Sequence, residues 1–584
     1  MLSASVTCLH PVGDIAVHHD RSVNDQTLSA GNGADGPSYD SRHGLNGFDV
    51  LAFVLILAMG VCTMLQPRMI NDDAAMYLHC GQFILDGQLP YLDFIELNPP
   101  FVMYLFAVPA MIAKLVPLDI VRTFFLFVTL YTAGMYLVMR RGLSRTGIAA
   151  GHLSLILLMW VAYSMWELEK FEFGKKEHLF VLLYLPGFLL RWRRWEGYSI
   201  GRIEAVVLGL LAGAAVCMKP HFLIIALLPE LYWLLIHRRL RAVFVPEVFA
   251  LAAVGAVYLA SLLLMPAAQK TVFFDELVPL VAQGYDIHKY ASLREFFVDN
   301  FLFSTYRSVQ RAIPSLLGIG ALFAFLVRPA RDERVWSLAR PLACLMIGAL
   351  IVYTMQMRGW PQHYSPALAA GLMLGAIYIC AVRFVAPGDA DGPGYHWIVG
   401  RRAAWTIAII VVVVGCTAMI TRRLKNPPFP YVDDFVRAIE SDSQDGDAVA
   451  FVSASVLPQY PSLLLTDRRP GFRYLWSFPI AMFYEGATTD ADGGVPYHRA
   501  EEQSPEEKRF LGRLAEDIAE RQPALIFVDG DGWCSGCPDG FNITVYLETI
   551  GFVDAHMPGY RRAGIVGGFT RYIRASQVPA EALP

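Results

Sequence analysis

The residues best suited to chemistry lie between positions 71 and 104, in the stretch NDDAAMYLHCGQFILDGQLPYLDFIELNPPFVMY. Two adjacent acids, Asp72 and Asp73, stand just after the first long apolar run of the chain. A carboxylate placed where hydrocarbon meets water can take a proton from an incoming nucleophile, and such general-base action typically contributes about 10²- to 10⁴-fold. Asp73 is the candidate, with Asp72 its close competitor. Three later stretches add charge at comparable places. FEFGKKEHLF brings Glu177 to the start of an apolar run, CMKPHF brings Lys219 to the end of one, and MRGWPQHYSP carries Arg358 and His363 in a Trp-bearing turn. Cations there would stabilise charge on a departing anionic group, the larger electrostatic part of group transfer. Each residue also has a plainer use. Acids at a helix start are favoured by its dipole. Glu177 could pair with Lys175 or Lys176 as a surface ion pair of little worth. Lys219 could simply snorkel, and aromatic anchoring alone would explain the turn around Trp360.

The elements that must hold these residues are membrane helices. Of 584 residues, 55% are hydrophobic and 17% charged, whereas a soluble domain is roughly 25% charged. Runs of roughly 17 to 25 apolar residues, long enough to cross the hydrocarbon, recur along the chain. Candidate spans fall near 49–66, 121–139, 149–165, 178–190, 203–218, 221–236, 244–264, 312–327, 341–356, 365–382 and 403–420. The apolar segment 100–116 is short and follows a Pro-Pro pair, so it is read as lying in the outer interface. With the N-terminus cytoplasmic, arginine clusters at 140–145, 191–202, 238–241, 328–340 and 383–402 then all fall on inner loops, as the positive-inside bias requires. The outer face receives the first loop, Glu177, the loop 265–311, His363 and everything beyond residue 421. The segment from Phe273 to Arg307, with Tyr285, Asp286, His288 and Lys289, would be a mobile lid or only a packed connection.

Three parts follow: residues 1–47 as a disordered cytoplasmic tail, 48–420 as the membrane domain, and 421–584 as a small extracytoplasmic α/β domain. The last contains two strand-like runs, DAVAFVSAS and PALIFVDG, and a helix start at Ser504 followed by proline and acids. Five of the nine cysteines lie inside apolar runs and need no function. Cys534 and Cys537 in DGWCSGCPDG are different; in an oxidising compartment they favour a disulfide over zinc, since no second ligand pair accompanies them. A net charge of -4 and no basic tract with interleaved aromatics exclude nucleic acid as a partner.

An acidic residue after the first membrane helix, a Tyr four residues on, Gly-x-x-Pro-Tyr-x-Asp and then Pro-Pro resemble the polyprenyl-phosphate-sugar glycosyltransferases of the GT-C superfamily. Protein mannosyltransferases and aminoarabinose transferases belong to that group. The resemblance places Asp73 at the catalytic acidic position and Tyr77, Gly87, Pro90, Tyr91, Asp93, Glu96, Pro99 and Pro100 on the rest of the motif. Glu177 matches an acidic residue that faces the first loop, and Lys219 the lysine after the fifth span. Asn98 stands where many relatives carry a His or Lys. What the resemblance implies is a GT-C-like fold, for which the apolar runs supply about eleven membrane helices, with interfacial helices in the first outer loop. It further implies a hexosyl- or pentosyltransferase of the inner (plasma) membrane, acting by single displacement with inversion. The donor would be a polyprenyl-phosphate-linked sugar and the acceptor a hydroxyl of a lipid, glycan or protein. Asp73, Asp72 and Glu177 would be catalytic. Tyr77, Tyr91, Asp93, Glu96, Asn98, Lys219, Arg358 and His363 would contact substrate, and a divalent metal could sit at Asp73 and Glu177. Two rivals remain: a glycan ligase on a similar scaffold, and a secondary transporter, although the acids sit at helix ends and no internal repeat is visible.

Overall fold

The structure, a computed structural model, describes residues 45–284, 289–301, 313–327, 333–381, 401–425, 429–484, 495, 497–530, 534 and 537–575. The expected cytoplasmic tail up to residue 44 and the loop residues Tyr285, Asp286 and His288 lie outside these. Each apolar run singled out from the sequence forms a helix. The first nine helices are α1 (Gly47–Leu65), α2 (Asp72–Leu85), α3 (Phe101–Ala113), α4 (Ile120–Ser144), α5 (Ala150–Glu169), α6 (Lys176–Trp195), α7 (Arg202–Cys217), α8 (Phe222–His237) and α9 (Pro246–Leu263). Ile313–Leu326, Ala339–Gln356, Ser365–Ala381 and Arg401–Lys425 follow. Among the described residues, Gly47–Leu65, Ile120–Ser144, Pro246–Leu263, Arg334–Gln356 and Pro361–Cys380 are both long and apolar enough to cross a membrane. The chain is a multi-pass membrane protein. The short α3 packs on α2: Gly81 of α2 lies so close to α3 that a Cβ there would meet the Phe106 carbonyl oxygen at 2.6 Å.

Charge is sorted to the two ends of this bundle. At one end Asp49, at the start of α1, accepts from Tyr136 and Arg140 of α4 and Ser154 of α5, each at 2.8 Å. At the same end Arg191 of α6 holds Glu230 of α8 at 2.6 Å and Glu247 of α9 at 3.0 Å. Tyr198 joins the two groups by donating to the Thr146 carbonyl at 2.8 Å. Arg140 and Arg191, which the sequence assigned to inner loops, are therefore also ties between helices, because a guanidinium near hydrocarbon must be paired to be retained. The first loop, the α5–α6 turn and Lys219 meet at the opposite end.

The C-terminal region is a small sheet domain. Its strands are β1 (Ala448–Val452), β2 (Arg469–Pro470), β3 (Leu525–Asp529), β4 (Tyr560–Val566) and β5 (Phe569–Arg574), in the order β2-β1-β3-β5-β4. β1 is parallel to β2 and β3, while β5 is antiparallel to β3 and β4. The two runs legible in the sequence became the central parallel pair, since strands buried on both faces read as continuous apolar runs. The Ser504 hydroxyl caps helix Pro505–Arg521 by accepting from Glu507 N at 3.0 Å, at the expected start. Strands β4 and β5 alternate with arginines and escaped that reading. Phe435 fills the core, 5.3 Å from Phe527 and 5.2 Å from Phe569 ring to ring. Replacing it with alanine should cost about 3–5 kcal/mol. Limited proteolysis of the full chain should then cleave this domain at a lower temperature than the wild type.

The sheet domain sits directly on the first loop. Ile95 N donates to Arg473 O at 2.5 Å, and Leu475 N to Ile95 O at 3.0 Å, a short parallel bridge. Arg521 donates to the Asp93 carbonyl at 2.7 Å, and Arg68 pairs with Asp433 at 2.6 Å. Cys534 and Cys537 are joined as a disulfide.

Candidate active site

Asn71 decides where α2 begins and what it faces. Its side-chain oxygen accepts from Ala74 N at 2.7 Å as the N-cap, while its amide donates to the Phe173 carbonyl at 2.7 Å. The first turn of α2, with Asp72 and Asp73, is thereby tied to the α5–α6 turn. That turn needs Gly174, which has φ +83° and leaves no room for a Cβ, since one would lie 2.6 Å from the Phe124 ring. Two lysines follow at once. Lys175 Nζ lies 3.4 Å from Asp72 and 3.2 Å from Glu172. Lys176 Nζ lies 4.0 Å from Asp73 and donates to the Tyr77 hydroxyl at 2.7 Å. Glu177, next in sequence and 3% exposed, forms a close ion pair with Lys219 from the end of α7. The plainer reading of Glu177 as a surface partner of Lys175 or Lys176 is thus corrected: the carboxylate is buried, and its partner comes from another helix.

The structure brings Asp72, Asp73, Tyr77, Glu96, Glu177 and Lys219 together. Glu96 is fully buried, takes Asn98 N and Nδ2 at 2.7 Å each, and lies within electrostatic reach of Lys176 and Asp73. Burial raises its pKa, against the pull of Lys176 and Asn98. Burial lowers the Lys219 ammonium although Glu177 opposes it. His221, beside Lys219, is pushed down to about 4 by burial and by that lysine, so it is a neutral imidazole at pH 7. Arg358 and the buried His363 lie in reach of one another and of Lys219, and Arg358 also lies 5.1 Å over the Trp360 ring.

Tyr91, Asp93 and Asn98 are engaged in shaping the loop. Tyr91 is buried, stacks on Phe273 at 4.6 Å and donates to Asn98 O at 2.7 Å. Asp93 accepts from Leu89 N at 2.7 Å, closing the turn that faces the sheet domain. Among the described residues no three His, Cys, Asp or Glu side chains gather as metal ligands. Asp73 faces Lys176 and Glu177 faces Lys219, so each acid expected to hold a metal has a lysine as its partner.

Glu172, Lys175 and Lys176 were missed as site residues, although they lie in the same stretch as Glu177; the signal available was their density in one short turn. Glu172 is raised to about 7 by burial, with Glu177 and Asp72 adding to the rise and Lys175 opposing it. A raised carboxylate contributes stability that is complete below its unfolded value near 4.5 and is lost as pH climbs through about 7. Glu172→Gln should therefore gain about 1–3 kcal/mol over the wild type at pH 8 and little at pH 5. Thermal midpoints in detergent at the two pH values measure the difference.

A multi-helix membrane bundle with carboxylates and lysines gathered at one end, beneath a small α/β domain, is a GT-C-like fold. Residues 97–354 match Glycosyltransferase family 87. The structure is similar to the crystal structure of ArnT from Cupriavidus metallidurans bound to undecaprenyl phosphate, with a TM-score of 0.55 and 12% identity. The similarity covers 92% of this chain and 99% of that one. No curated protein sequence matches the chain significantly. The GT-C resemblance of the first loop thus has its counterpart in the fold. The family match starts at residue 97, so Asp72, Asp73 and Glu96 precede it.

Proposed function

We propose that the protein is an inverting glycosyltransferase of the inner (plasma) membrane that moves a sugar from a polyprenyl-phosphate donor to a hydroxyl of a lipid, glycan or protein. Transfer takes place on the outer face, with the N-terminus cytoplasmic and the sheet domain outside. The observation that carries this reading is Asp73, placed 4.0 Å from Lys176 beside the buried Glu177–Lys219 pair. A carboxylate and two lysines, the groups such a transfer needs, thus stand within one site. The likeness to a fold solved with undecaprenyl phosphate agrees with a lipid-phosphate donor.

In the reaction, Asp73 takes the proton of the acceptor hydroxyl as its oxygen bonds to the anomeric carbon from the face opposite the phosphate. The bond from that carbon to the phosphate oxygen breaks, and the electron pair leaves with the polyprenyl phosphate. Lys176 and Lys219 stabilise the charge that develops there, aided by low local dielectric. Tyr77 and Glu177 hold the two lysines in place. The test is reconstitution in liposomes with a panel of polyprenyl-phosphate sugars and candidate acceptors. Release of polyprenyl phosphate that depends on an acceptor is expected. Transfer from sugar nucleotides, with every lipid-linked donor left intact, would sink the proposal.

A further inference from the structure

At the end of the bundle opposite the carboxylates and lysines, a pocket of about 230 Å³ opens between the last turns of α6 and α8 and the start of helix Ala339–Gln356. Glu196, Tyr232, Trp233, His237, Trp336 and Arg340 line it. Its polar chemistry is mostly donation. Trp233 and Trp336 are 1% and 5% exposed, yet among the described residues neither indole Nε1–H meets an acceptor, and nor does Arg340 Nε. Neighbouring indoles at that end do find acceptors: the Trp192 indole donates to Ser337 Oγ and the Trp195 indole to Glu230, both at 3.1 Å. Buried donors without acceptors are costly and rare, so a cluster of them beside an open cavity marks a place for a ligand rich in acceptors. Tyr232 is already engaged with Arg340. The acid in the lining, Glu196, has His237 within electrostatic reach. Arg340 stands in the first turn of an 18-residue helix, where the dipole adds positive potential.

The rim indicates how the ligand arrives. Directly after α8 the exposed Arg238, Arg239 and Arg241 alternate with Leu235, Ile236, Leu240 and Phe244, which are 73%, 60%, 66% and 71% exposed. Arginines mixed with exposed apolar side chains at the end of a membrane helix suit the headgroup layer of an anionic bilayer. We propose that this pocket binds a phosphate group, carried by an anionic membrane lipid whose chains lie along Leu235, Ile236 and Leu240. A phosphate supplies acceptor oxygens and negative charge in a volume the pocket can hold, and charge-assisted bonds to Arg340 and the two indoles would satisfy all three orphan donors. The site is separate from the transfer site and stands whether or not glycosyl transfer is upheld.

The test uses the full chain purified in detergent, with native mass spectrometry and thermal unfolding as readouts. The probes are phosphatidylglycerol, diacylglycerol as the same lipid without phosphate, and inorganic phosphate. Phosphatidylglycerol should be retained and raise the midpoint, and diacylglycerol should do neither. Arg340→Gln and Trp336→Phe should each weaken retention by about tenfold. The second variant removes one N–H and no charge, so its loss cannot be ascribed to net charge, and it carries the decision if Arg340→Gln fails to fold. Protection by millimolar inorganic phosphate equal to that by the lipid would uphold the phosphate site and assign it a soluble ligand. Equal retention of the two lipids, or wild-type retention by Trp336→Phe, would overturn it.

Discussion

Asp73→Asn should lower the turnover of sugar transfer by about 10²- to 10⁴-fold while donor affinity and folding persist. Asparagine keeps the size of the side chain but cannot accept a proton from the incoming hydroxyl. Little stability is at stake, because Asp73 is 28% exposed and its lysine, 4.0 Å away, is also held by Tyr77. Asp72→Asn is the internal control. That carboxylate is engaged with Lys175 at 3.4 Å, so its loss should disturb the turn and cost under about tenfold in rate. Single-turnover transfer from a lipid-linked sugar, with donor binding measured separately, distinguishes the two. A collapse in Asp72→Asn with full transfer in Asp73→Asn would exchange their roles, and retained turnover in both would remove the base from this loop.

The second large effect concerns the buried pair. Lys219→Met leaves Glu177, 3% exposed, with its closest counter-charge gone, and such a loss typically costs about 3–5 kcal/mol. Lys176 remains near enough to soften the penalty, which places the expected value toward the lower end. Glu177→Gln combined with Lys219→Met removes both charges and should recover most of the thermal midpoint, because neutral groups of similar shape can replace a buried pair at little cost. It should not recover transfer, since the phosphate loses a cation either way. That split, stability restored and activity still lost, separates a catalytic lysine from a merely structural one. Recovery of both would make the pair a packing device.

Much of the scaffold was legible. The apolar runs placed the helices, and alternation of arginine clusters placed their ends, because hydrocarbon length and the cost of burying charge act on the linear chain directly. The sheet domain was half legible: β1 and β3 are continuous apolar runs, while β4 and β5 carry arginines whose pairing depends on a neighbouring strand. Asp73, Glu177 and Lys219 were singled out through their positions at helix ends within a recognisable motif, and the fold brings them near one another. Glu172, Lys175 and Lys176 were not, since their charges acquire meaning only when the α5–α6 turn is held against α2.

The amino-acid sequence alone determined a multi-pass helical membrane protein, which end of the bundle each polar loop joins, and which acids and lysines were available there. Tertiary structure decided the pairings: Glu177 with Lys219 rather than with its neighbours, Lys176 with Asp73 and Tyr77, and the sheet domain on the first loop. The reason is physical. Hydropathy is a property of each segment, whereas a buried charge takes whichever partner the packed helices bring within a few ångströms, and that partner can stand far along the chain.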